Sequence, residues 1–324
     1  MLEIFFWGIV FVISLYVLIK ASGYFMDSAI RVGSVSGIPS FIIGVTIVSV
    51  GTSLPELASS IVAVLRNSSE IVVGNVVGSN IANIFLVAGV PAIFWKRLLV
   101  SREYIKLDLL LLFGSALILT AMIWDGVFTL PEAILCVAGI AIYMTYIVKA
   151  EKARSKLNEK AIKDERTREE KKQTKWIIFK ALIILVLCSF VIYLSAKYTI
   201  ESVIKLSEIL GIGQEIIAAS AVALGTSLPE LAVSLSAAKK GEADIVAGNI
   251  IGSNIFNTLA VMGISALFGT LVIPASILRF GLPIMLIATL LFILTLYDKK
   301  ITRLEGWIAV LFYILFISSM FLGF

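Results

Sequence analysis

Long apolar runs constrain the fold of this chain more than any other feature of its sequence. They follow one another along most of the chain, and each is close to the roughly 20 residues that a helix needs to cross a bilayer. Apolar types make up 59% of the 324 residues and charged types only 15%, which is typical of an integral membrane protein. The short alternating segments of a membrane β-barrel do not occur. We therefore predict an all-α membrane protein.

Ten of these runs are long enough to be transmembrane helices. They cover residues 3–21, 38–64, 70–95, 105–124, 128–148, 176–197, 212–238, 243–270, 276–297 and 303–322. The loops after the odd-numbered runs hold 22 basic residues, against four on the opposite side. By the positive-inside rule the basic loops are cytoplasmic, including the charged segment 149–175, and both termini are expected outside the cell membrane.

The first half of the chain is repeated in the second half at an offset of 174 residues. GTSLPELASSIVAVLRNSSEIVVGNVVGSNIANIFLVAG (51–89) aligns without a gap to GTSLPELAVSLSAAKKGEADIVAGNIIGSNIFNTLAVMG (225–263), with 21 identical residues in 39. We expect two five-helix repeats, 1–148 and 176–324, joined by the charged linker 149–175. Because five is odd, the second repeat must cross the membrane in the opposite sense. Inverted repeats of this kind are typical of secondary transporters.

The repeated GTSLPE motif places a glutamate after a proline inside an apolar run, at Glu56 and at Glu230. An ionised carboxylate is costly in hydrocarbon, so both glutamates must face an aqueous cavity or a cation. The preceding proline removes a backbone donor and frees carbonyl oxygens about one turn earlier. Four hydroxyl side chains lie within the same turn: Thr52, Ser53, Thr226 and Ser227.

A second polar pattern follows in each repeat, within GNVVGSNIANIF and GNIIGSNIFNTL. Residues four apart share one helical face, which groups Asn75, Ser79 and Asn83, and likewise Asn249, Ser253 and Asn257. Such a stripe is either a set of contacts between helices or one wall of a cation site. Together with the glutamates it would supply only hard oxygen ligands, which suit Ca2+, and the chain has no histidine for a softer metal.

The combination of GTSLPE with GNxxGSNxxN in both halves resembles the α-repeats of the calcium/cation antiporter superfamily, most of all its prokaryotic Na+/Ca2+ exchanger branch. The specific blocks are residues 44–90 and 218–264. The resemblance implies Ca2+ bound by Glu56 and Glu230 with carbonyl groups of Thr52 and Thr226. It further implies Na+ sites and a central amide pair, formed by Ser53, Ser79, Ser227, Ser253, Asn83 and Asn257, with backbone oxygens near Ser49 and Ala223.

The same resemblance implies alternating access, with the first and sixth helices sliding across the other eight. K+-dependent relatives carry an acid where this chain has Asn257, and the H+-coupled branch begins its repeats with GNxxE instead of GTSLPE. Exchange of Na+ for Ca2+ is therefore favoured, with H+/Ca2+ antiport through the same glutamates as the alternative. A cation channel would gather its ligands from several subunits, and no enzyme nucleophile accompanies the acids. We expect a monomer with no cofactor besides the transported ions and no nucleic-acid partner.

Overall fold

The computed structural model describes residues 2–35, 49–95, 97–99, 105–158, 168–241 and 243–322, and these residues are predominantly helical. The helices are α1 (Leu2–Val35), α2 (Leu54–Leu65, preceded by the helical turn Ser49–Thr52), α3 (Glu70–Trp95), α4 (Ile105–Met122), α5 (Leu130–Asn158), α6 (Arg168–Leu210), α7 (Gln214–Lys239), α8 (Ala243–Ala266), α9 (Ile277–Tyr297) and α10 (Arg303–Leu322). The strands are β1 (Arg97–Leu99), β2 (Val127–Phe128), β3 (Leu271–Val272) and β4 (Lys300–Thr302).

Eight of the described helices are long and apolar enough to cross a membrane, which confirms a multi-pass helical membrane protein. The two shorter apolar helices are α2 and, in α4, the stretch Asp108–Met122. The sequence predicts a longer second run, 38–64, whose part 38–48 lies outside the described residues. The predicted ten-span plan therefore remains a prediction.

Helices α3 and α8 form the centre of the protein, and α1 and α6 lie at its edge. In the most apolar 18-residue stretch of each helix, 94% of the residues of α3 and 83% of those of α8 are buried. In α1 and in α6 the share is 17%. The two edge helices pack along one another, and the Thr199 hydroxyl of α6 donates to Ser14 Oγ of α1 at 3.0 Å. Since lipid faces the remaining sides of α1 and α6, their exposed apolar residues are expected.

Small residues allow α3 to approach α7 closely. A Cβ built on Gly74 would lie 2.5 Å from the carbonyl oxygen of Glu215, and one built on Gly78 would overlap the carbonyl group of Ala219. These glycines therefore form the close-packing face that the GxxxG spacing predicts. By the 174-residue offset, the partners of Gly248 and Gly252 would fall at residues 41–45, which are outside the described part of the chain.

The two antiparallel strand pairs follow the same offset. β1 pairs with β4, with Leu98 opposite Ile301, and β2 pairs with β3, with Val127 opposite Val272. Residues 98 and 272 are 174 apart, and so are residues 127 and 301. The two small sheets are thus matching contacts between the halves. Helix α4, which lies between β1 and β2 in the chain, has 18 residues and is therefore about 27 Å long.

The helices after β2 and β4 begin with the same cap. In each, a glutamate accepts hydrogen bonds from the backbone and hydroxyl of a threonine three residues earlier: Glu132 from Thr129 at 2.6 and 2.8 Å, and Glu305 from Thr302 at 2.6 and 2.7 Å. This capping box satisfies N–H groups at the start of α5 and α10 and fixes where the chain re-enters the helical layer.

The charged linker 149–175 is helical at both ends. Helix α5 continues to Asn158 and α6 begins at Arg168, while residues 159–167 lie outside the described part. At 43 residues α6 is about 65 Å long, roughly twice the hydrocarbon thickness. Its charged first turns therefore project out of the membrane.

The close approach of α3 to α7 predicts that Gly78→Ala destabilises the protein. Overpacking of this kind costs about 1–3 kcal/mol, because the added methyl group displaces backbone atoms. Its effect is measured as a lower midpoint of thermal unfolding in detergent micelles. Gly114→Ala in α4 is the matched control, since no other described part of the chain comes within 4 Å of its Cβ position and alanine is the better helix former. Equal midpoints for the two variants would contradict the packing argument.

Candidate cation site

The two GTSLPE motifs interrupt their helices at the same point. Ser53 follows the turn Ser49–Thr52 with ψ 10° and precedes α2, and Ser227 has ψ 0° in the middle of α7. Each is followed within two residues by a proline in the first turn of the continuing helix. Pro55 cannot donate to the carbonyl group of Gly51, four residues earlier. The predicted helix break is therefore present in both halves.

The breaks bring Glu56 and Glu230 into the centre of the protein, where neither side chain is exposed to solvent (0% each). The Ser79 hydroxyl donates to Oε1 of Glu56 at 3.5 Å, and the equivalent Ser253 hydroxyl donates to Oε1 of Glu230 at 3.4 Å. The Ser53 hydroxyl donates across the two halves to Oε1 of Glu230 at 3.1 Å. One cluster thus contains both carboxylates and residues from both repeats.

Two threonines complete contacts between the halves. The Thr226 side chain lies beside Glu56, and the Thr52 side chain lies beside Glu230. The Thr226 hydroxyl is also 3.4 Å from Oδ1 of Asn75 and 3.1 Å from the carbonyl oxygen of Val222. Each carboxylate is therefore surrounded by hydroxyls from its own repeat and from the other one.

Several buried oxygen atoms in this cluster have no hydrogen-bond partner among the described residues. They are Oε2 of Glu56, Oε2 of Glu230, Oγ of Ser227, and Oδ1 of Asn83, Asn249 and Asn257. Buried acceptors without donors are costly in a low-dielectric interior. A cation is the natural partner for such a set, because it satisfies several oxygens at once and neutralises the two carboxylates.

The two halves differ around equivalent asparagines. Asn249 donates to the carbonyl oxygen of Glu230 at 3.0 Å and to Ser234 Oγ at 3.1 Å. The corresponding Asn75 and Ser60 make no such bonds in the described structure, because Nδ2 of Asn75 and Oγ of Ser60 are both unpartnered. The motif residues are the same in both halves, so this difference arises from the surrounding packing.

Asn83 and Asn257 each begin a π-helical segment, Asn83–Val87 in α3 and Asn257–Val261 in α8. The extra residue of a π-turn weakens the regular backbone hydrogen bonds and is frequent at functional sites. Neither segment is predicted by the sequence pattern, although the two start at residues assigned to the site. Both side chains are fully buried.

A polar network joins α3 to α8 beside these segments. Asn83 donates to Oδ1 of Asn254 at 3.0 Å, and Asn254 donates to the carbonyl oxygen of Asn80 at 3.3 Å. Asn80 donates to Oγ1 of Thr258 at 3.0 Å. Asn80 and Asn254 therefore hold the two halves together, and only Asn83 of this network also belongs to the predicted cation ligands.

The remaining predicted ligands lie along the helix breaks. The carbonyl group of Ala223 accepts the N–H of Ser227 at 3.0 Å, so it is already engaged once. Ser49 opens the helical turn that ends at Thr52. Among the described residues no group of three or more His, Cys, Asp or Glu side chains could hold a metal ion. A cation here would depend on two carboxylates supplemented by hydroxyl, amide and carbonyl oxygens.

A multi-pass helical membrane protein with two buried carboxylates in an oxygen-rich cluster has the features of an ion transporter. The family model described as "Sodium/calcium exchanger protein" matches residues 6–149 and 180–322. The chain belongs to this family of membrane exchangers, which are transporters and not enzymes.

Relatives and solved structures match nearly the whole chain. The sodium/calcium exchanger MaX1 of Methanosarcina acetivorans is 34% identical over 97% of this chain and 98% of its own length. The putative antiporter CaxA of Alkalimonas amylolytica is 31% identical over 93% of this chain and 94% of its own length. A structure of the sodium-calcium exchanger NCX_Mj, soaked with 2.5 mM Na+ and 10 mM Sr2+, superimposes on this chain with a TM-score of 0.66. The two sequences are 28% identical, and the match covers 98% of this chain and 99% of the other.

The contact between Asn80 and Thr258 predicts that these residues stabilise the protein jointly. Asn80→Ala and Thr258→Val should each lower the midpoint of thermal unfolding, and the double variant should lose less than the sum. A coupling free energy of about 0.5–1.5 kcal/mol is expected for one buried hydrogen bond. Thr120→Val, which removes a hydroxyl that donates to the Ala116 carbonyl oxygen within α4, is the control and should be additive with Asn80→Ala. Additive effects of Asn80→Ala and Thr258→Val would refute the coupling.

Proposed function

We propose that this protein exchanges Na+ for Ca2+ across the membrane, and that the ions bind between Glu56 and Glu230. The main support is the shared cluster of two fully buried glutamates, one from each half, in which each has a carboxylate oxygen with no partner among the described residues. One Ca2+ would neutralise both charges. Two Na+ ions would also neutralise them, but each would need its own set of oxygen ligands. Membership of the exchanger family supports this pair of ions.

The ligands around the glutamates support hard cations. Thr52, Ser53, Thr226 and Ser227 contribute oxygens at the helix breaks, while Ser79, Ser253, Asn83 and Asn257 contribute them from α3 and α8. We place Ca2+ nearest the carboxylates with the carbonyl groups of Thr52 and Thr226, because it requires six to eight oxygens and favours charged ones. The Na+ sites would flank it, near the pairs Ser53–Ser79 and Ser227–Ser253, with backbone oxygens of Ser49 and Ala223.

We further infer ten membrane spans arranged as two inverted five-helix repeats, 1–148 and 176–324. The offset of 174 residues relates the helix breaks, the π-helical segments, the serine–glutamate contacts and both strand pairings. The family model also matches in two segments of similar length on either side of the charged linker. With the linker 149–175 in the cytoplasm, both termini would lie outside, as the positive-inside rule favours.

Alternating access would occur by movement of α1 and α6 relative to the remaining helices. These two pack along one another and are the least buried of the candidate spans. Helix α1 also covers both helix breaks: a Cβ on Gly51 would lie 2.8 Å from Cγ of Met26, and one on Gly225 would overlap the Leu15 side chain. Sliding α1 would therefore uncover the cluster. Because one chain supplies all proposed ligands, a monomer is sufficient.

The proposal predicts Ca2+ uptake into Na+-loaded proteoliposomes, and loss of that uptake in Glu56→Gln and in Glu230→Gln. Each variant removes a carboxylate that would pair with the buried cation. Loss of such a partner costs about 3 kcal/mol or more, so uptake should fall by about 100-fold or more. The measurement is 45Ca2+ entry driven by an outward Na+ gradient. Glu208→Gln is the matched control, since Glu208 is exposed and its ion pair within the described part of the chain is with Lys205 on the same helix.

Three outcomes would contradict parts of this proposal. Uptake driven by a pH gradient and indifferent to Na+ would replace the coupling ion with H+ while keeping the glutamates. Normal Na+-driven uptake in both glutamine variants would remove the glutamates from the site. Unitary currents across a planar bilayer would indicate a channel, since a carrier turns over too slowly to produce them.

A further inference from the structure

Helices α2 and α6 are joined at their C-terminal portions by an ion pair outside the proposed cation site. Nη2 of Arg66 lies 3.9 Å from Oε2 of Glu201, and both side chains are partly exposed, at 43% and 38%. Arg66 is the C-cap of α2, directly after the helix that carries Glu56. The pair therefore links a helix of the cation site to one of the two edge helices. In the proposed orientation it lies at the outer face.

The repeat places the same charges at the equivalent positions of the other half. At an offset of 174 residues, Arg66 corresponds to Lys240 and Glu201 corresponds to Asp27. Lys240 is the C-cap of α7, as Arg66 is of α2. Both helices then end in a residue with positive φ, at Asn67 (57°) and Gly241 (77°). The two cations thus occupy the same position on the same kind of helix end.

The two halves are not in the same arrangement at these positions. Helix α2 packs closely against α6, whereas the equivalent part of α7 has little contact with α1 in the described structure. Leu228 of α7 is 44% exposed, while its counterpart Leu54 is partly buried. Within the described residues, Asp27 and Lys240 form no ion pair, and the side chain of Asp27 is exposed.

An inverted repeat supplies the reason to expect the missing pair. If the two halves exchange their arrangements during transport, every contact of one state has its offset counterpart in the other state. The counterpart of Arg66–Glu201 is Lys240–Asp27, at the opposite face of the membrane. We propose that these pairs are two alternating latches: Arg66–Glu201 (the outer latch) closes the outer face, and Asp27–Lys240 (the inner latch) closes the inner face. This inference rests on the alternating access of the proposed function.

The latches would act on the balance between the two states and not on ion coordination. A surface ion pair of this kind is worth a factor of up to about 5 in an equilibrium. The apparent affinity at each face equals the intrinsic affinity multiplied by the fraction of protein open to that face. Weakening the outer latch should therefore improve apparent Ca2+ affinity at the outer face and reduce it at the inner face.

The test compares half-saturating Ca2+ concentrations at the two faces, using right-side-out and inside-out membrane vesicles. Arg66→Gln or Glu201→Gln should lower the outer value by about 2- to 5-fold and raise the inner value. Asp27→Asn or Lys240→Gln should shift both values in the opposite directions. Combining Arg66→Glu with Glu201→Arg should restore the original values, because it reverses the pair without removing it.

The matched control is Lys205→Gln, which breaks the 2.8 Å pair with Glu208 within α6. Lys205 lies one helical turn from Glu201, but its pair does not join two helices, so neither value should change beyond the effect of a lost surface charge. If the outer-latch and the inner-latch variants shift the half-saturating Ca2+ concentration equally and in the same direction at both faces, the proposal is wrong. The ion pairs would then have only a structural role.

A cross-linking measurement tests the inner latch without a transport assay. In a Cys136→Ala, Cys188→Ser background, Asp27→Cys and Lys240→Cys are joined with a short thiol cross-linker, and the yield is recorded. Adding Glu201→Gln should raise that yield by about 2- to 5-fold, because the outer latch no longer competes. An unchanged yield would overturn the proposal even if Na+-driven exchange were observed. A raised yield without Na+-driven exchange would instead reject the proposed function alone.

Discussion

The two buried carboxylates of Glu56 and Glu230 are the constraint on which the rest of the structure depends. Each would be strongly unfavourable inside a membrane protein without compensating charge. The helix breaks at Ser53 and Ser227 turn hydroxyl and carbonyl oxygens toward them, and the two most buried helices, α3 and α8, supply Ser79 and Ser253. An apolar bundle of the same composition without these acids would have no need of either break.

The cluster also explains why the halves must act together. Ser53 of the first half donates to Glu230 of the second, and Thr226 of the second half contacts Glu56 of the first. Around it, Asn80, Asn254 and Thr258 connect α3 with α8 by hydrogen bonds that neither half could make alone. A single repeat would expose one carboxylate and half of its partners. Duplication within one chain keeps both parts of the site at a fixed ratio and orientation.

Much of this arrangement is predictable from local sequence, and the remainder is not, for physical reasons. Apolar run lengths predict the helices, and Pro55 and Pro229 predict where two of them break, because proline acts within one turn. The polar stripe places Ser79 and Ser253 beside the glutamates, as found. The π-helical segments at Asn83 and Asn257, and the contact of Asn80 with Thr258, depend on which helices meet across the repeat. No periodicity within one segment contains that information.

The difference between the halves is the least predictable feature and the most informative one. Ser53 donates to a glutamate while the identical Ser227 has no partner in the described structure, and Asn249 is bonded where Asn75 is not. Identical motifs in unequal surroundings mean that the motif itself does not select either arrangement. Among the described residues, the Arg66–Glu201 ion pair between α2 and α6 is one contact that lacks its counterpart in the other half. The proposed alternating access by α1 and α6 requires two arrangements close in free energy, because a strongly preferred arrangement would hold the ions on one side.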